Sequence, residues 1–165
     1  MGDYKYKYTR TSNGNAAAAW SDRQPFFRLD ALVNVATIIT DGSGTLDSTT
    51  KITAAESIAV LDIPANSWVI NVITRIITAS TDGTATVDVG DGTDVAGWDA
   101  AVDITATAGT NSWSNNADDA YNLQLASGKV YTDADTLDVL FNNDTTNGII
   151  LFQMVIMELA YIDDP

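Results

Sequence analysis

The densest group of chemically capable side chains is the run Asp88-Val89-Gly90-Asp91-Gly92-Thr93-Asp94. Calcium prefers six to eight oxygen ligands on a flexible loop, so Asp88, Asp91 and Asp94 are weak candidates for a metal site. No glutamate follows where an EF-hand loop would need one, and no helix pattern flanks the run. The simpler interpretation is a strand that ends in an Asp-Gly turn, with aspartate bonded to nearby backbone. The sequence favours that turn and predicts no bound metal or cofactor.

The residue types that most hydrolases use for catalysis are missing. The chain has no histidine and no cysteine. Their absence excludes a Ser-His-Asp triad, a Cys-His pair, the usual zinc sites and a disulfide framework. Paired carboxylates such as Asp91 with Asp94, or Asp133 with Asp135, match glycoside hydrolases in residue type alone. Aspartates on turns are expected to face solvent, and we predict that the protein is not an enzyme.

Aromatic residues give a second set of candidate contacts. Trp98, Trp113 and Tyr121 fall at the edges of predicted loops, where a ring can stack on a sugar or pack against a protein. We treat these three as candidate loop contacts. Trp68 instead follows the apolar alternation of a strand, and we predict that it lies in the core.

Charge divides the chain into two parts. Residues 1–28 contain five basic residues against two aspartates, a net charge of +3, and the remainder contains three basic residues against twenty acidic ones, a net charge of -17. Such a negative body repels nucleic acid, so nucleic acid is not an expected partner. We divide the chain into an extended N-terminal arm, residues 1–28, and a body, residues 29–165.

The N-terminal arm is rich in aromatic residues but lacks a sustained helical or strand period. Disordered tails are usually poor in aromatics. We therefore predict a docking arm, with a floppy tail as the alternative. Its candidate docking residues are Tyr4, Lys5, Tyr6, Lys7, Tyr8, Arg10, Arg23, Phe26, Phe27 and Arg28.

After the arm, short apolar runs alternate with Asp, Asn, Gly and Thr-rich turns. The first predicted strand covers residues 29–40, and about eight strands follow this pattern. No window has a convincing amphipathic helix period. The most apolar run, residues 148–157, is far shorter than the roughly 20 residues of a membrane-spanning helix. The sequence predicts an all-β, antiparallel β-sandwich of the jelly-roll or Greek-key kind, with no membrane partner.

Two long predicted strands, residues 68–78 and residues 149–161, are apolar on both faces, although a sandwich strand needs only one apolar face. A neighbouring subunit or the protein's own arm or loops must cover the second face. We favour a homo-oligomer, a trimer first and a dimer second. The residues assigned to this second face are Val69, Ile73, Ile77, Ile150, Phe152, Met154 and Ile156.

Several runs resemble small structural proteins of tailed bacteriophages, especially cyanophages. They are Val60-Leu61-Asp62-Ile63-Pro64-Ala65, residues 83–94 with Gly97-Trp98, residues 131–138 and the apolar final strand. The resemblance covers residues 56–160 in order, and its motifs are strand and turn patterns that carry no catalytic residue.

This resemblance implies a virion protein that is made in the host cytoplasm. The expected function is capsid decoration or cement: binding the outer face of the shell and stabilising capsomer junctions, with the major capsid protein as partner. The alternative is a head or tail fibre module that binds a receptor or carbohydrate. A cement protein needs an anchor such as the N-terminal arm, whereas a sugar-binding module needs an aromatic cleft.

Overall fold

The structure, a computed structural model, describes residues 26–41, 48–113, 121 and 128–159. These residues form two antiparallel β-sheets packed as a sandwich. The predicted all-β sandwich is therefore confirmed. The described strands are β1 (Phe26–Asn34), β2 (Glu56–Ile63), β3 (Ser67–Thr78), β4 (Thr86–Gly90), β5 (Asp99–Asp103), β6 (Asn111–Trp113), β7 (Lys129–Tyr131), β8 (Asp135–Phe141) and β9 (Ile149–Glu158). Within these ranges, no helix is long and apolar enough to cross a membrane.

Both sheets combine strands from early and late parts of the chain. Sheet A has the order β1-β9-β3-β6, with β7 also paired to β3, and sheet B has the order β2-β8-β4-β5. The chain crosses between sheets from β1 to β2, from β2 to β3 and from β3 to β4. All pairs are antiparallel, which lets each sheet bury one face and leave the other uncovered by the sandwich.

The core fills the space between the sheets. Alternate residues of β4 and β8 point inward, because side chains on a strand alternate between faces. The largest fully buried side chains are Trp98, Phe141, Phe152, Ile52, Ile63, Ile76, Ile104, Leu137, Ile150, Met154, Ile156 and Val35.

One predicted strand is partly helical. Residues 29–40 were expected to be extended, but the strand ends at Asn34 and α1 (Val35–Asp41) follows. The Asn34 side chain accepts a hydrogen bond from the Thr37 amide at 3.3 Å, which caps the helix. Val35, Ile38 and Ile39 then share the buried side at helical spacing. Tertiary packing thus overrides the strand preference of these β-branched residues.

The assignment of faces on β3 was wrong for Val69 and Trp68, which precede a β-bulge, and correct for Ile73, which follows it on the outer side. The register of β3 against β9 shifts between Val69 and Asn71, which inserts an extra residue and reverses the alternation. Val69 is fully buried, while Ile73 is only partly buried and Ile77 is 39% exposed. Trp68, predicted to be core, lies on the outer side of sheet A opposite Met157.

On β9 the two faces are also reversed from the prediction. Ile150, Phe152, Met154 and Ile156 are fully buried between the sheets rather than on a second face. The partly exposed outer residues of this strand are Ile149, Leu151, Gln153, Val155 and Met157. Periodicity separated the two sets correctly, but both are apolar, so it did not indicate which set faces the core.

The body begins earlier than predicted. Phe26, Phe27 and Arg28 were assigned to the N-terminal arm, yet they pair with Met157, Ile156 and Val155 of β9 as the first residues of β1. Phe27 packs against the core.

Candidate docking surface

We call the outer side of sheet A the apolar face. Register across the sheet aligns Phe26 of β1, Met157 of β9, Trp68 of β3 and Val130 of β7 in one row. Phe26 is 49% and Val130 is 55% exposed. Side chains in one row lie close enough to form a continuous surface, so four large apolar groups face outward together at this end of the sheet.

The apolar face continues along the strands. Further rows contain Leu32 beside Leu151, and Ile73 beside Trp113. Leu32 is 39% and Trp113 is 49% exposed. Burial of each such side chain contributes roughly 1.5–3 kcal/mol. A contiguous surface of this kind marks an interaction site more often than an ordinary solvated surface.

Polar side chains also occupy outward positions of the apolar face, including Asn34, Asn71 and Asn111. Arg28 is bonded to Asp30 at 2.8 Å, and Gln153 donates to the same aspartate at 3.2 Å. Arg75 is exposed and lies opposite Leu151. Two guanidinium groups among apolar residues resemble the composition of protein interfaces, which are enriched in arginine and aromatic side chains.

The outer side of sheet B, which we call the acidic face, has the opposite composition. Asp62, Asp88, Asp103 and Asp138 all point outward from its four strands. Those strands contain no lysine or arginine. Their other outward residues are small or hydroxylated, apart from Leu140. This face is suited to contact with water.

A buried ion pair joins the two sheets near one end of the sandwich. Asp91, directly after β4 of sheet B, has no exposed surface and bonds Lys129 of β7 in sheet A at 2.6 Å. Tyr131 donates to the same carboxylate at 2.5 Å, and Lys129 also donates to the Tyr121 hydroxyl at 3.0 Å. The Trp98 indole donates to the Tyr131 hydroxyl at 3.3 Å, which completes the network.

Two glycines make this arrangement possible. A Cβ on Gly90 would lie 2.0 Å from the Asp94 carbonyl oxygen, and one on Gly97 would lie 2.2 Å from the Tyr121 ring. Neither position leaves space for a side chain. Gly90, which lies in the candidate metal run, therefore allows a tight turn, and Gly97 allows the close packing of Tyr121.

Electrostatics in this network keep both partners charged. Burial raises the pKa of Asp91, but the Lys129 ammonium and the hydrogen bonds from Tyr131, Thr93 and Asp94 outweigh it and hold that pKa below its usual range. Burial lowers the pKa of Lys129, whereas its bonds to Asp91 and Tyr121 raise it overall. Asp91 thus requires Lys129, because a buried carboxylate without a partner is strongly destabilising.

The three candidate metal ligands have separate partners. Asp88 accepts from the Ala101 amide at 2.7 Å and from Asn142, on the acidic face. Asp94 accepts from the Ala96 amide at 3.1 Å. Asp91 accepts from the Thr93 and Asp94 amides, as in the predicted turn, but Lys129 occupies its other oxygen. No group of three metal-ligating side chains is assembled within the part of the chain that the structure describes.

The candidate loop contacts are only partly brought together. Trp98 is fully buried, so its prediction as a surface contact was wrong. Tyr121 stacks edge-on against it, with ring centroids 5.3 Å apart, and is partly buried. Trp113 is exposed, on β6 at the margin of the apolar face. These three rings therefore do not form an open platform.

Seven of the candidate arm residues lie outside the described residues: Tyr4, Lys5, Tyr6, Lys7, Tyr8, Arg10 and Arg23. The Lys129–Asp91 pair was missed at the sequence level. Lys129 is one of three basic residues in the acidic body, which suggested some carboxylate partner, but twenty acidic residues gave no means of choosing it.

Comparison with known proteins shows that the fold of this chain is similar to that of chains in solved structures. No family profile and no curated protein matches the chain. A chain of the cyanophage Pam1 capsid asymmetric unit has a TM-score of 0.54 and 13% identity, covering 80% of this chain and 84% of that one.

Two further solved structures are similar. A chain of the acidic stable capsid of Helicobacter pylori bacteriophage KHP30 has a TM-score of 0.54, 10% identity and coverage of 81% here and 88% there. A chain from the capsid of Ralstonia phage GP4 has a TM-score of 0.52, 15% identity and coverage of 81% and 84%. The sandwich is thus of a kind found in phage capsids, in agreement with the resemblance drawn from the sequence.

Proposed function

We propose that this chain is a non-enzymatic virion structural protein that decorates the outside of a phage capsid and stabilises the junctions between capsomers. The apolar face is the single observation that carries this proposal. It presents Phe26, Leu32, Trp113 and Val130 to the outside of an otherwise acidic, well-packed sandwich. The fold likeness to chains of three phage capsids supports the same assignment.

The apolar face and the N-terminal arm are continuous in the chain. Residues 1–25 lead directly into Phe26, which stands at the end of the row that contains Trp68 and Met157. We propose that the arm and this face contact the major capsid protein together. Aromatic and arginine side chains supply most of the affinity in such interfaces.

The acidic face would then point away from the shell. It carries four aspartates without a basic residue in its strands. Desolvating them against a protein surface would be unfavourable without positive partners, whereas leaving them in water is not. Binding of many copies to the assembled state alone stabilises that state by mass action.

The test is the location and copy number of the protein in virions. Quantitative mass spectrometry of purified particles should give a copy number comparable to that of the major capsid protein, and electron microscopy should place the sandwich on the shell. A few copies at the tail or at a single vertex would instead favour the fibre or receptor-binding alternative. Absence from virions would contradict both.

A second experiment tests the anchor. Deleting residues 1–25 leaves β1 intact, whereas a cut after Arg28 would remove three paired residues of that strand. The truncated protein should keep a cooperative melt and lose attachment to shells. Full occupancy by the truncated protein would show that the arm is not an anchor, and would leave the apolar face as the contact.

A further inference from the structure

Strand β1 is the longest edge strand among the described ones. It spans nine residues, Phe26–Asn34, and its partner among the described strands is β9 on one side. All nine residues pair with β9 in unbroken register, from Phe26 with Met157 to Asn34 with Ile149. The strand contains no proline, lysine or glycine. A long, regular edge of this kind is a template for pairing with another strand.

The other edges are less suited to pairing. On sheet B, the register of edge strand β2 shifts between Ala59 and Leu61, and that of edge strand β5 shifts opposite Val87 and Val89. In β5, Ala101 has a φ of 53°, outside the range of an extended strand. On sheet A, β6 and β7 have only three residues each. Bulges and short strands are among the devices by which proteins prevent edge pairing, and β1 has neither, while its two charged residues, Arg28 and Asp30, are opposite in sign.

We propose that β1 pairs antiparallel with β1 of a second copy across a two-fold axis at Leu29, which joins the two A sheets into one continuous sheet. This inference concerns self-association in solution and does not depend on the proposed capsid function. A two-fold interface uses the same surface on both copies, so the strand must be complementary to itself.

The sequence of β1 has this self-complementarity in one register. With Leu29 opposite Leu29 of the partner, Arg28 faces Asp30 and Asp30 faces Arg28, and Phe26 faces Leu32 at both ends. All four of these cross-strand pairs lie on the apolar face, because even-numbered residues of β1 point outward. Opposite charges and large apolar groups directly across two strands both stabilise a sheet.

Neighbouring registers are worse. Moving the axis to Asp30 puts that aspartate opposite itself, and moving it to Arg28 puts two arginines opposite each other. Like charges in these positions destabilise pairing. Placing the two-fold axis midway between two neighbouring residues would put outward-facing residues opposite inward-facing ones. Arg28 is available for an exchange of partners, because its side chain is 61% exposed and its present bond is to Asp30 of the same strand.

The decisive test uses charge reversal followed by mixing. Sedimentation of the full chain at tens of micromolar should show a dimer. Arg28→Asp alone and Asp30→Arg alone should each weaken dimerisation at least about tenfold, because like charges then face each other twice. Mixing the two variants should restore the dimer, because each acidic strand now meets a basic one.

Mixing the two variants distinguishes charge pairing between two chains from charge pairing between positions 28 and 30 of one chain. Each single variant has like charges at positions 28 and 30, and mixing does not change that. Restoration on mixing therefore requires contact between β1 strands. Recovery in the double variant R28D/D30R should accompany it, since the register again pairs opposite charges. Failure of the mixture to dimerise, with both variants folded, would overturn the proposal.

The matched control is Arg75→Asp, the same charge change on a central strand of the same apolar face. It should leave the dimer intact if association runs through the edge of β1. A dimer that is lost with R75D but retained with R28D and D30R would show that the copies stack through the apolar face, and a monomer at all concentrations would show that β1 is not a self-pairing edge.

Discussion

The apolar face and the acidic face cover the same core from opposite sides, yet they differ in their large apolar side chains and in their charge. On sheet A, Phe26, Trp113 and Val130 are about half exposed. On sheet B, the outward positions hold aspartate, threonine and small residues, apart from Leu140. Folding needs only one apolar face per sheet. The second apolar surface on sheet A is therefore the one that the proposed docking would use, while the aspartates of sheet B favour hydration of their face.

The two faces point in opposite directions because the sheets pack back to back. The largest expected effect, on the stability of the protein, comes from removing the lysine of the buried ion pair that joins the sheets. Lys129→Met leaves Asp91 buried without its cation, which should destabilise the protein by about 3–5 kcal/mol. Denaturant unfolding measures the loss. Lys51→Met is the matched control, because its ion pair with Asp144 is exposed, and we expect it to change the midpoint little.

Adding Asp91→Asn to Lys129→Met should recover part of the lost stability, because the neutral side chain no longer buries a charge. No difference between the Lys129 and Lys51 variants would mean that the buried network does not fasten the sheets.

A pair of matched leucines tests the assignment of binding to one face. Leu32→Asp changes the apolar face and Leu140→Asp changes the acidic face, both at outward positions. Leu32→Asp should weaken attachment to shells by about 1–3 kcal/mol, as expected for a buried interface residue, and Leu140→Asp should not. Cosedimentation with shells measures both. A larger loss of attachment with Leu140→Asp than with Leu32→Asp would indicate that the docking surface lies on sheet B.

The aspartates of the acidic face give a smaller, pH-dependent effect. Partial burial raises the pKa of Asp138, with Asp135 and Asp91 adding to the rise against a hydrogen bond from Thr136. A carboxyl whose pKa is raised on folding destabilises the protein at neutral pH, and this penalty disappears as pH falls through the raised value. Asp138→Asn should therefore raise the melting temperature at neutral pH.

The gain should vanish in acid, where Asp138 itself becomes neutral. Asp62→Asn removes the same charge from a more exposed position of this face and is the control. A gain that persists at low pH would attribute the effect of Asp138→Asn to packing rather than to charge.

The pKa of Asp91 shifts on folding in the opposite direction to that of Asp138. Its pKa is lowered on folding, so its contribution is complete above the ordinary value of 3.8 and is lost as pH falls through the lower folded value. The two aspartates lie near each other but are placed in different surroundings: one is bonded to a lysine, and the other has carboxylates as charged neighbours.

The smallest expected effect concerns calcium. The carboxylates of Asp88, Asp91 and Asp94 have separate protein partners, so melting in chelator and in excess calcium should differ by no more than a few degrees. Differential scanning calorimetry measures this directly. A large rise with calcium would mean that the acidic side of the molecule is a metal site rather than a solvated surface.

Composition and periodicity determined much of this protein. The abundance of aspartate, asparagine, glycine and threonine between short apolar runs was sufficient for an antiparallel sandwich, because turn residues and alternation are local properties. The absence of histidine and cysteine excluded most catalytic sites. The sequence also showed that the last strand and β3 are apolar on both faces, which is the origin of the apolar face.

Tertiary structure decided which face is which. Ile150, Phe152 and Met154 differ little in hydrophobicity from Ile149, Leu151 and Val155, and only packing against sheet B buries the first set. The bulge after Val69 reversed the alternation of β3, an effect that a strict period of two cannot include. Lys129 meets Asp91 across 38 positions of sequence, because the packing of sheet A on sheet B brings β7 beside the turn that follows β4. Pairings between distant residues depend on topology, and local pattern does not contain it.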